Sequence, residues 1–416
     1  MSTAQVTQVT EDTFRLSANV SDILFEGMWP IPNGVAMNSY VVKGEKVAII
    51  DGVCEWDGVP ETLFSQLDEM QVDVNDIEYV ILNHLEPDHT GWLNAFNDIR
   101  GDFKVYASQK GCDLAREFYG IDGDRLQPVK HGDTIDLGNG HVLHFFEIPN
   151  VHWPETIATY DEKTKTLFPC DAFGSFGAVT ESPYDDTVTE KEMAFFEREA
   201  NRYYANIVAA FSNFVERAIK KLADVDIGII APAHGLVWRK DPGKIIHDYL
   251  RYASYMKGPA EPEVTVLYGT MYGMSAMGVK PVVEGLKSEG IKVHVHQVPE
   301  TNIGFILDSI WRSSGVVLGM PTYEYKMFPP MAAVLDELTR KKVLNRKAFR
   351  FGSYGWSGGA QKELDEIMER SKAKWDFLEP VEFRGRPSDE ELDLIRQRGK
   401  ELGQAVKAWV AEKESA

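Results

Sequence analysis

The segment Asn83-His84-Leu85-Glu86-Pro87-Asp88-His89-Thr90-Gly91 places four metal-binding side chains, His84, Glu86, Asp88 and His89, within six positions. It follows an apolar, strand-like run, Tyr79-Val80-Ile81-Leu82. A buried strand therefore ends where the ligands begin, and loops at strand ends are where a rigid scaffold presents chemistry. Pro87 and Gly91 predict a tight loop here rather than a helix. Carboxylates beside two imidazoles at such an exit would be costly to desolvate without a cation to share.

The same arrangement recurs downstream. His152 follows Phe145-Phe146-Glu147-Ile148-Pro149, Asp171 follows Thr166-Leu167-Phe168-Pro169-Cys170, and His234 follows Ile227-Gly228-Ile229-Ile230-Ala231-Pro232-Ala233. Each candidate ligand ends a β-like segment. Four His and three carboxylates can hold two metals if one carboxylate bridges. Mixed imidazole and carboxylate ligation suits iron, manganese or zinc. Two ions about 3.5–4 Å apart would form a two-metal site.

These residues resemble the flavodiiron proteins, which join a metallo-β-lactamase-like domain to a flavodoxin-like domain. The family pattern is His-x-Glu-x-Asp-His, then one His, one Asp and one His at long spacings, and all seven residues are present. The resemblance implies that His84, Glu86 and His152 hold one iron, that Asp88, His89 and His234 hold the other, and that Asp171 bridges. The related zinc hydrolases carry His where this chain has Glu86, so the added negative charge points to oxidisable iron. Asp51-Gly52 resembles an early Asp that supports the site without ligating metal. One of Tyr203 and Tyr204 is expected to reach a ligand; packing within a helix is the alternative for both.

Composition fits an enzyme of two or three domains. The 416 residues are 44% hydrophobic, ample for packed cores. No run is long and apolar enough to span a membrane, and Met1–Asp12 is polar, unlike a signal peptide. The net charge of -20 argues against nucleic acid and anionic membranes as partners. The three cysteines, Cys54, Cys112 and Cys170, form no C-x-x-C pair, so an iron–sulfur module within these residues is not expected and a cytoplasmic location is. Cys170 reads as a packing residue, since adjacent strand residues face opposite ways. His131, His141, His144, His247, His294 and His296 lack the strand-end setting and stay outside the metal shell.

The fold class expected is α/β. Residues 1–256 form an αββα metallo-β-lactamase-like diiron domain, and residues 262–416 a doubly wound, flavodoxin-like FMN domain. The first domain has strands around Thr13–Leu16, Asn38–Val42 and Val47–Asp51, and helical stretches Val59–Met70 and Lys191–Leu222. Gly258-Pro259-Ala260-Glu261-Pro262 reads as a linker. Beyond it, strands Val264–Tyr268, Lys292–Val298, Gly315–Met320 and Ala348–Gly352 alternate with helices around Met331–Thr339, Gln361–Lys372 and Asp389–Glu412. A fifth strand is expected near Val381–Phe383. Pro281 predicts a kink or a late start in the first helix of this domain.

Three loops at strand carboxyl ends form the expected cofactor site. Thr270-Met271-Tyr272-Gly273-Met274-Ser275 resembles the flavodoxin phosphate loop, where hydroxyls and backbone N–H groups suit a phosphate dianion. Pro321-Thr322-Tyr323-Glu324-Tyr325 begins the flavin loop. Ser353-Tyr354-Gly355-Trp356, with Gly358, supplies close backbone approach and ring surfaces for isoalloxazine. A plain turn for the first loop, and aromatic packing for Trp356, are the competing readings. Two departures stand out. Met274-Ser275 stands where the family often has Asn or Ser with Thr, and Glu324-Tyr325-Lys326 stands where it often has Asn-Asn-Gly.

The resemblance spans about Phe14 to Val410 and implies reduction of O2 to water, of NO to N2O, or of both. It implies two Fe ions and FMN as cofactors, and a head-to-tail homodimer or dimer of dimers. The donor implied is a rubredoxin or another soluble carrier, with a reduced deazaflavin or a flavin reductase as alternatives. A dizinc hydrolase fused to an FMN module, or a non-catalytic redox sensor, are readings of other classes.

Overall fold

The computed structural model describes residues 4–52 and 61–415. Cys54 and the expected helix start at Val59 lie outside the described residues. The chain divides into two compact units, 1–250 and 251–416, with the division inside the helix Pro242–Ser254.

Two large sheets form the core of the first unit, beside a two-stranded ribbon of Leu24–Phe25 and Trp29–Pro30. One runs Ala4–Gln8, Thr13–Val20, Val35–Lys43, Val47–Ile50, Ile77–Ile81, Lys104–Ala107, Leu126–Pro128. The other runs Thr134–Gly138, His141–Glu147, Ile157–Asp161, Thr166–Phe168, Ile229–Ile230. Period-two alternation sends Tyr40, Val42, Ala48, Ile50 and Ile81 from the first sheet against Leu143, Phe145, Ile157 and Phe168 from the second. The Tyr40 and Phe168 rings meet at 5.1 Å, and Tyr106 stacks on Phe145 at 6.3 Å. Each such large side chain stabilises by about 1.5–3 kcal/mol relative to exposure.

Two expectations for this unit are corrected. Residues after Ile81 do not stay a loop, because Pro87–Thr90 closes one helical turn. Pro87 sits in its first turn, where its missing N–H has no intrahelical partner to lose. The stretch Lys191–Leu222 is not one helix. Glu190–Tyr203 is α-helical, Tyr204–Val208 is a π-helical turn, Ala209–Phe211 is 3₁₀, and Ser212–Lys221 resumes the α-helix. Such π turns gather at functional sites, and this one begins beside Tyr203.

The second unit is a parallel sheet in the order Lys292–Gln297, Glu261–Tyr268, Ser313–Gly319, Lys347–Tyr354, with the last strand flanked by a fifth position. This is the doubly wound 2-1-3-4-5 order. The fifth position holds two short pieces. Asp376–Phe377 pairs the lower half of Lys347–Tyr354 and Val381–Arg384 the upper half. Pro380, which has no N–H to donate, lies in the break. Helices Pro329–Arg340, Ala360–Ser371 and Asp389–Glu414 stand where the periodicity put them. The first helix starts late, as Pro281 required. Ser275–Gly278 is 3₁₀ and Val279–Ser288 α-helical, which leaves Pro281 in the first α turn.

Candidate metal centre and flavin loops

Seven residues from four strand ends converge in the first unit. Ile77–Ile81 leads to His84, Glu86, Asp88 and His89; His141–Glu147 leads to His152; Thr166–Phe168 to Asp171; Ile229–Ile230 to His234. All but Glu86 are buried, and Glu86 is half-buried. His84, Glu86, His152 and Asp171 bring one atom each within 4.8 Å of one another, and Asp88, His89 and His234 form a second such group.

The Asp171 carboxylate divides between them. Its Oδ2 lies 3.4 Å from His84 Nε2 and 3.4 Å from His152 Nε2. Its Oδ1 lies 3.1 Å from His89 Nε2 and 3.1 Å from His234 Nε2. Glu86 Oε2 completes the first group, 3.2 Å from His84 Nε2 and 3.0 Å from His152 Nε2. Asp88 Oδ2 completes the second, 3.4 Å from His89 Nε2 and 3.6 Å from His234 Nε2.

Electrostatics fit cations here. Burial acts to neutralise the His89 imidazole, but the Asp88 and Asp171 carboxylates outweigh it and raise its pKa to about 10. Burial likewise opposes charge on His84, while hydrogen bonds to Glu155 and Glu86 raise it to about 10. Burial raises the Asp171 carboxyl, and the imidazoles led by His89 overcome this and hold it well below the usual range. Asp88 Oδ1, Asp171 Oδ2 and His234 Nε2 are buried without a hydrogen-bond partner, although such atoms are normally satisfied. Metal ions would take the place of the protons this field attracts. The donor set thus fits two cations of the iron, manganese or zinc type.

Surrounding residues fix the ligands. Asp51 accepts from the Asn83 backbone N–H at 2.8 Å and from the Asn83 amide at 3.2 Å, which ties the strand end before His84. Gly52 is obligatory, since a Cβ there would meet Trp92 Nε1 at 1.6 Å, and Trp92 Nε1 in turn donates to His89 O at 2.9 Å. His234 Nδ1 lies 3.2 Å from Ala36 O. Of the two tyrosines, Tyr203 reaches the site, donating from Oη to Asp171 Oδ1 at 3.2 Å, whereas Tyr204 bonds Ser212.

Cys170 departs from the strand-based reading. It lies past the end of Thr166–Phe168 with φ of 52°, so strand alternation does not govern it. Its sulfur comes within 4.8 Å of His89 and Asp171 ligand atoms. Burial pushes its thiol well above the usual range. Glu155 was not singled out from the sequence. It reads as one polar residue of a Trp-Pro-Glu-Thr turn before the strand Ile157–Asp161, and nothing local marks it as buried.

The three flavin loops of the second unit lie at the carboxyl end of its sheet. In the first, Thr270 Oγ1 accepts from Gly273 N at 3.0 Å, and Met271, Tyr272 and Met274 are exposed. Ser275 is buried instead and accepts from Ser353 N at 3.2 Å, which ties the first loop to the third. In the second, Thr322–Tyr323 and Lys326–Met327 form a hairpin whose turn residues, Glu324 and Tyr325, have φ of 45° and 65°. Asn and Gly favour that left-handed turn, and here two larger side chains adopt it. Tyr325 O packs so close to Gly359 that a Cβ there would lie 2.1 Å away. Tyr325 and Trp356, 64% and 69% exposed, face each other edge-on at 6.1 Å. Exposed aromatics on adjoining loops supply surfaces for a planar ring.

Comparison with known proteins places this architecture. A family described as "ODP family beta lactamase" matches residues 35–235, and the flavodoxin family matches residues 266–399. The anaerobic nitric oxide reductase flavorubredoxin of Pectobacterium carotovorum is 34% identical over 374 residues, covering 89% of this chain and 72% of the relative. That of Aliivibrio salmonicida is 33% identical over 381 residues, covering 90% and 73%. Among solved structures, rubredoxin oxygen:oxidoreductase from Desulfovibrio gigas matches with a TM-score of 0.90 at 26% identity, covering 98% of this chain and 100% of that one. A flavodiiron protein variant from Thermotoga maritima matches with a TM-score of 0.86 at 28% identity, covering 97% and 100%.

The chain belongs to the flavodiiron proteins. As a flavodiiron protein it is an oxidoreductase whose cofactors are FMN and a diiron centre. No helix among the described residues is long and apolar enough to cross a membrane.

Proposed function

We propose that this flavodiiron protein reduces NO to N2O, O2 to water, or both, at a diiron centre held by the seven converging residues and re-reduced by FMN. The observation that carries this is the division of Asp171, one oxygen toward each ligand group. His84, Glu86 and His152 would hold one iron and Asp88, His89 and His234 the other, with Asp171 shared between them. When bound, the irons and FMN supply diatomic binding and a local store of electrons. O2 takes four electrons and four protons to give two waters; two NO take two electrons and two protons to give N2O and water.

The chain's own residues set the conditions for that chemistry. Three anionic carboxylates, Glu86, Asp88 and Asp171, favour the higher charge of oxidised iron. Glu86 is the discriminating one, because a neutral imidazole there would suit a zinc hydrolase. Tyr203 keeps an O–H on Asp171 Oδ1, and both side chains are buried. The names of the Pectobacterium relative and the Desulfovibrio neighbour support NO and O2 respectively.

Thr270, Met271, Tyr272, Gly273, Met274 and Ser275 would hold the FMN phosphate, and Pro321 to Tyr325, Ser353 to Trp356 and Gly358 would hold its ring. Residues 1–256 serve as the metal domain and 262–416 as the FMN domain. The donor is a rubredoxin or another soluble carrier, the assembly a head-to-tail homodimer or dimer of dimers, and the setting cytoplasmic. Stopped-flow oxidation of the reduced, iron-quantified protein by NO and by O2 separately, with product analysis, tests the reading. Consumption of either gas at enzymatic rates is expected. Bound zinc with no oxidation by either gas would support the hydrolase instead.

A further inference from the structure

We propose that Glu155 is a positioning residue that holds His84 in one tautomer and so makes the His84–Glu86–His152 subsite the tighter of the two. The inference rests on the ligand assignment above and goes beyond it.

Glu155 Oε1 lies 2.7 Å from His84 Nδ1, and both side chains are fully buried. The same oxygen accepts from the Leu85 backbone N–H at 3.1 Å, so the carboxylate is fixed against the segment that carries His84. Ser108 Oγ donates to Glu155 O at 2.7 Å and pins the backbone. Two residues earlier, the Trp153 ring meets the His84 ring edge-on at 4.9 Å. His84 is therefore clamped on one ring face and at one ring nitrogen by a single turn of chain.

A carboxylate at Nδ1 makes Nδ1 the protonated nitrogen and leaves the Nε2 lone pair free toward Glu86 and Asp171. Glu155 Oε2 is buried with no hydrogen-bond partner. A buried anion so placed calls for positive charge on or beyond the His84 ring, and a cation at Nε2 would supply it. This is the carboxylate–histidine–metal relay, which raises the basicity of the ligating nitrogen.

The second subsite is backed differently. His234 Nδ1 faces the neutral carbonyl of Ala36, at 3.2 Å, and the buried Asp51 carboxylate acts on His89 through its charge, without a hydrogen bond to the ring. The two subsites have similar first ligands but unequal backing, so removing the Glu155 charge should weaken one iron selectively.

The test is chelator competition on the iron- and FMN-loaded holoenzyme, wild type against Glu155→Gln and Glu155→Asp, with iron and FMN counted separately. In Glu155→Gln one of the two irons should leave about 10- to 100-fold more readily, with the other iron and FMN retained. Glu155→Asp, which keeps the charge, should restore part of the loss. Loss of both irons in parallel, or of neither, overturns the proposal. Should Glu155→Gln fail to fold, histidine nitrogen NMR of the zinc-loaded wild type decides: His84 protonated at Nδ1 supports the proposal, and His84 protonated at Nε2 contradicts it. A wild type that never binds two metals would instead overturn the diiron assignment itself.

Discussion

Tyr203 donates its hydroxyl to Asp171 Oδ1 at 3.2 Å, the oxygen that also faces His89 and His234. The carboxylate proposed to bridge the two irons is thereby oriented by a group outside the proposed ligand set. Burial and the Asp171 charge both push the tyrosine well above its usual pKa, so it stays a donor at any working pH. Tyr203→Phe should keep both irons and lower turnover several-fold, with a stability loss of about 1 kcal/mol for one net hydrogen bond. Iron counting alongside steady-state kinetics checks this; unchanged turnover would leave Tyr203 a packing residue.

Glu86 separates the redox site from a hydrolytic one. Glu86→His removes a negative charge that lies 3.0 Å from His152 Nε2 and 3.2 Å from His84 Nε2. Reductase activity should fall at least tenfold and the iron potentials should rise. Redox titration of the loaded protein measures both, and unchanged potentials with full turnover would remove Glu86 from this role.

In the second unit His296 provides a pH prediction. Burial, with help from neighbouring His294, lowers its pKa to about 4, and its Nε2 lies 2.8 Å from Ser309 Oγ. The folded pKa is below the unfolded value of about 6.5. The unfolded chain therefore takes up the proton first as pH falls. The contribution is complete above pH 6.5 and is lost as pH drops from about 6.5 to about 4. Solvent screening of this partly exposed ring reduces the effect to about 1 kcal/mol. Urea unfolding followed by flavin fluorescence should show His296→Gln flattening this acid slope; identical slopes would contradict it.

Glu324 should lower the flavin potential. Its side chain is exposed, and Lys326, which could offset it, pairs with Glu366 at 3.3 Å. Glu324→Gln should raise the midpoint slightly, on the order of a few tenths of a kcal/mol after screening. Redox titration at equal FMN occupancy decides; a midpoint that stays or falls rules the role out.

The convergence of the seven residues was legible because each ligand segment follows a β-like run, and the family resemblance supplied their grouping. The alternation of strands and helices in the second unit was legible from its clear periods, whereas the order of the parallel sheet came only with the structure. Glu155 was not legible, because its burial depends on His84, which is 71 positions away. The π-helical turn at Tyr204 was missed because Lys191–Leu222 keeps helical periodicity throughout. The one-turn helix at Pro87 was missed because proline reads equally as loop or as helix start. Cys170 is buried as expected, but strand alternation does not set its direction, because it lies two residues past the strand.

The bridging carboxylate is the centre of the account, and one measurement reaches it directly. Asp171→Ala, purified with wild type and assayed for iron and FMN per chain, removes a side chain with one oxygen toward each ligand group. The account predicts that both irons are lost while FMN stays bound. An Asp171→Ala protein that keeps two irons and full activity would contradict it.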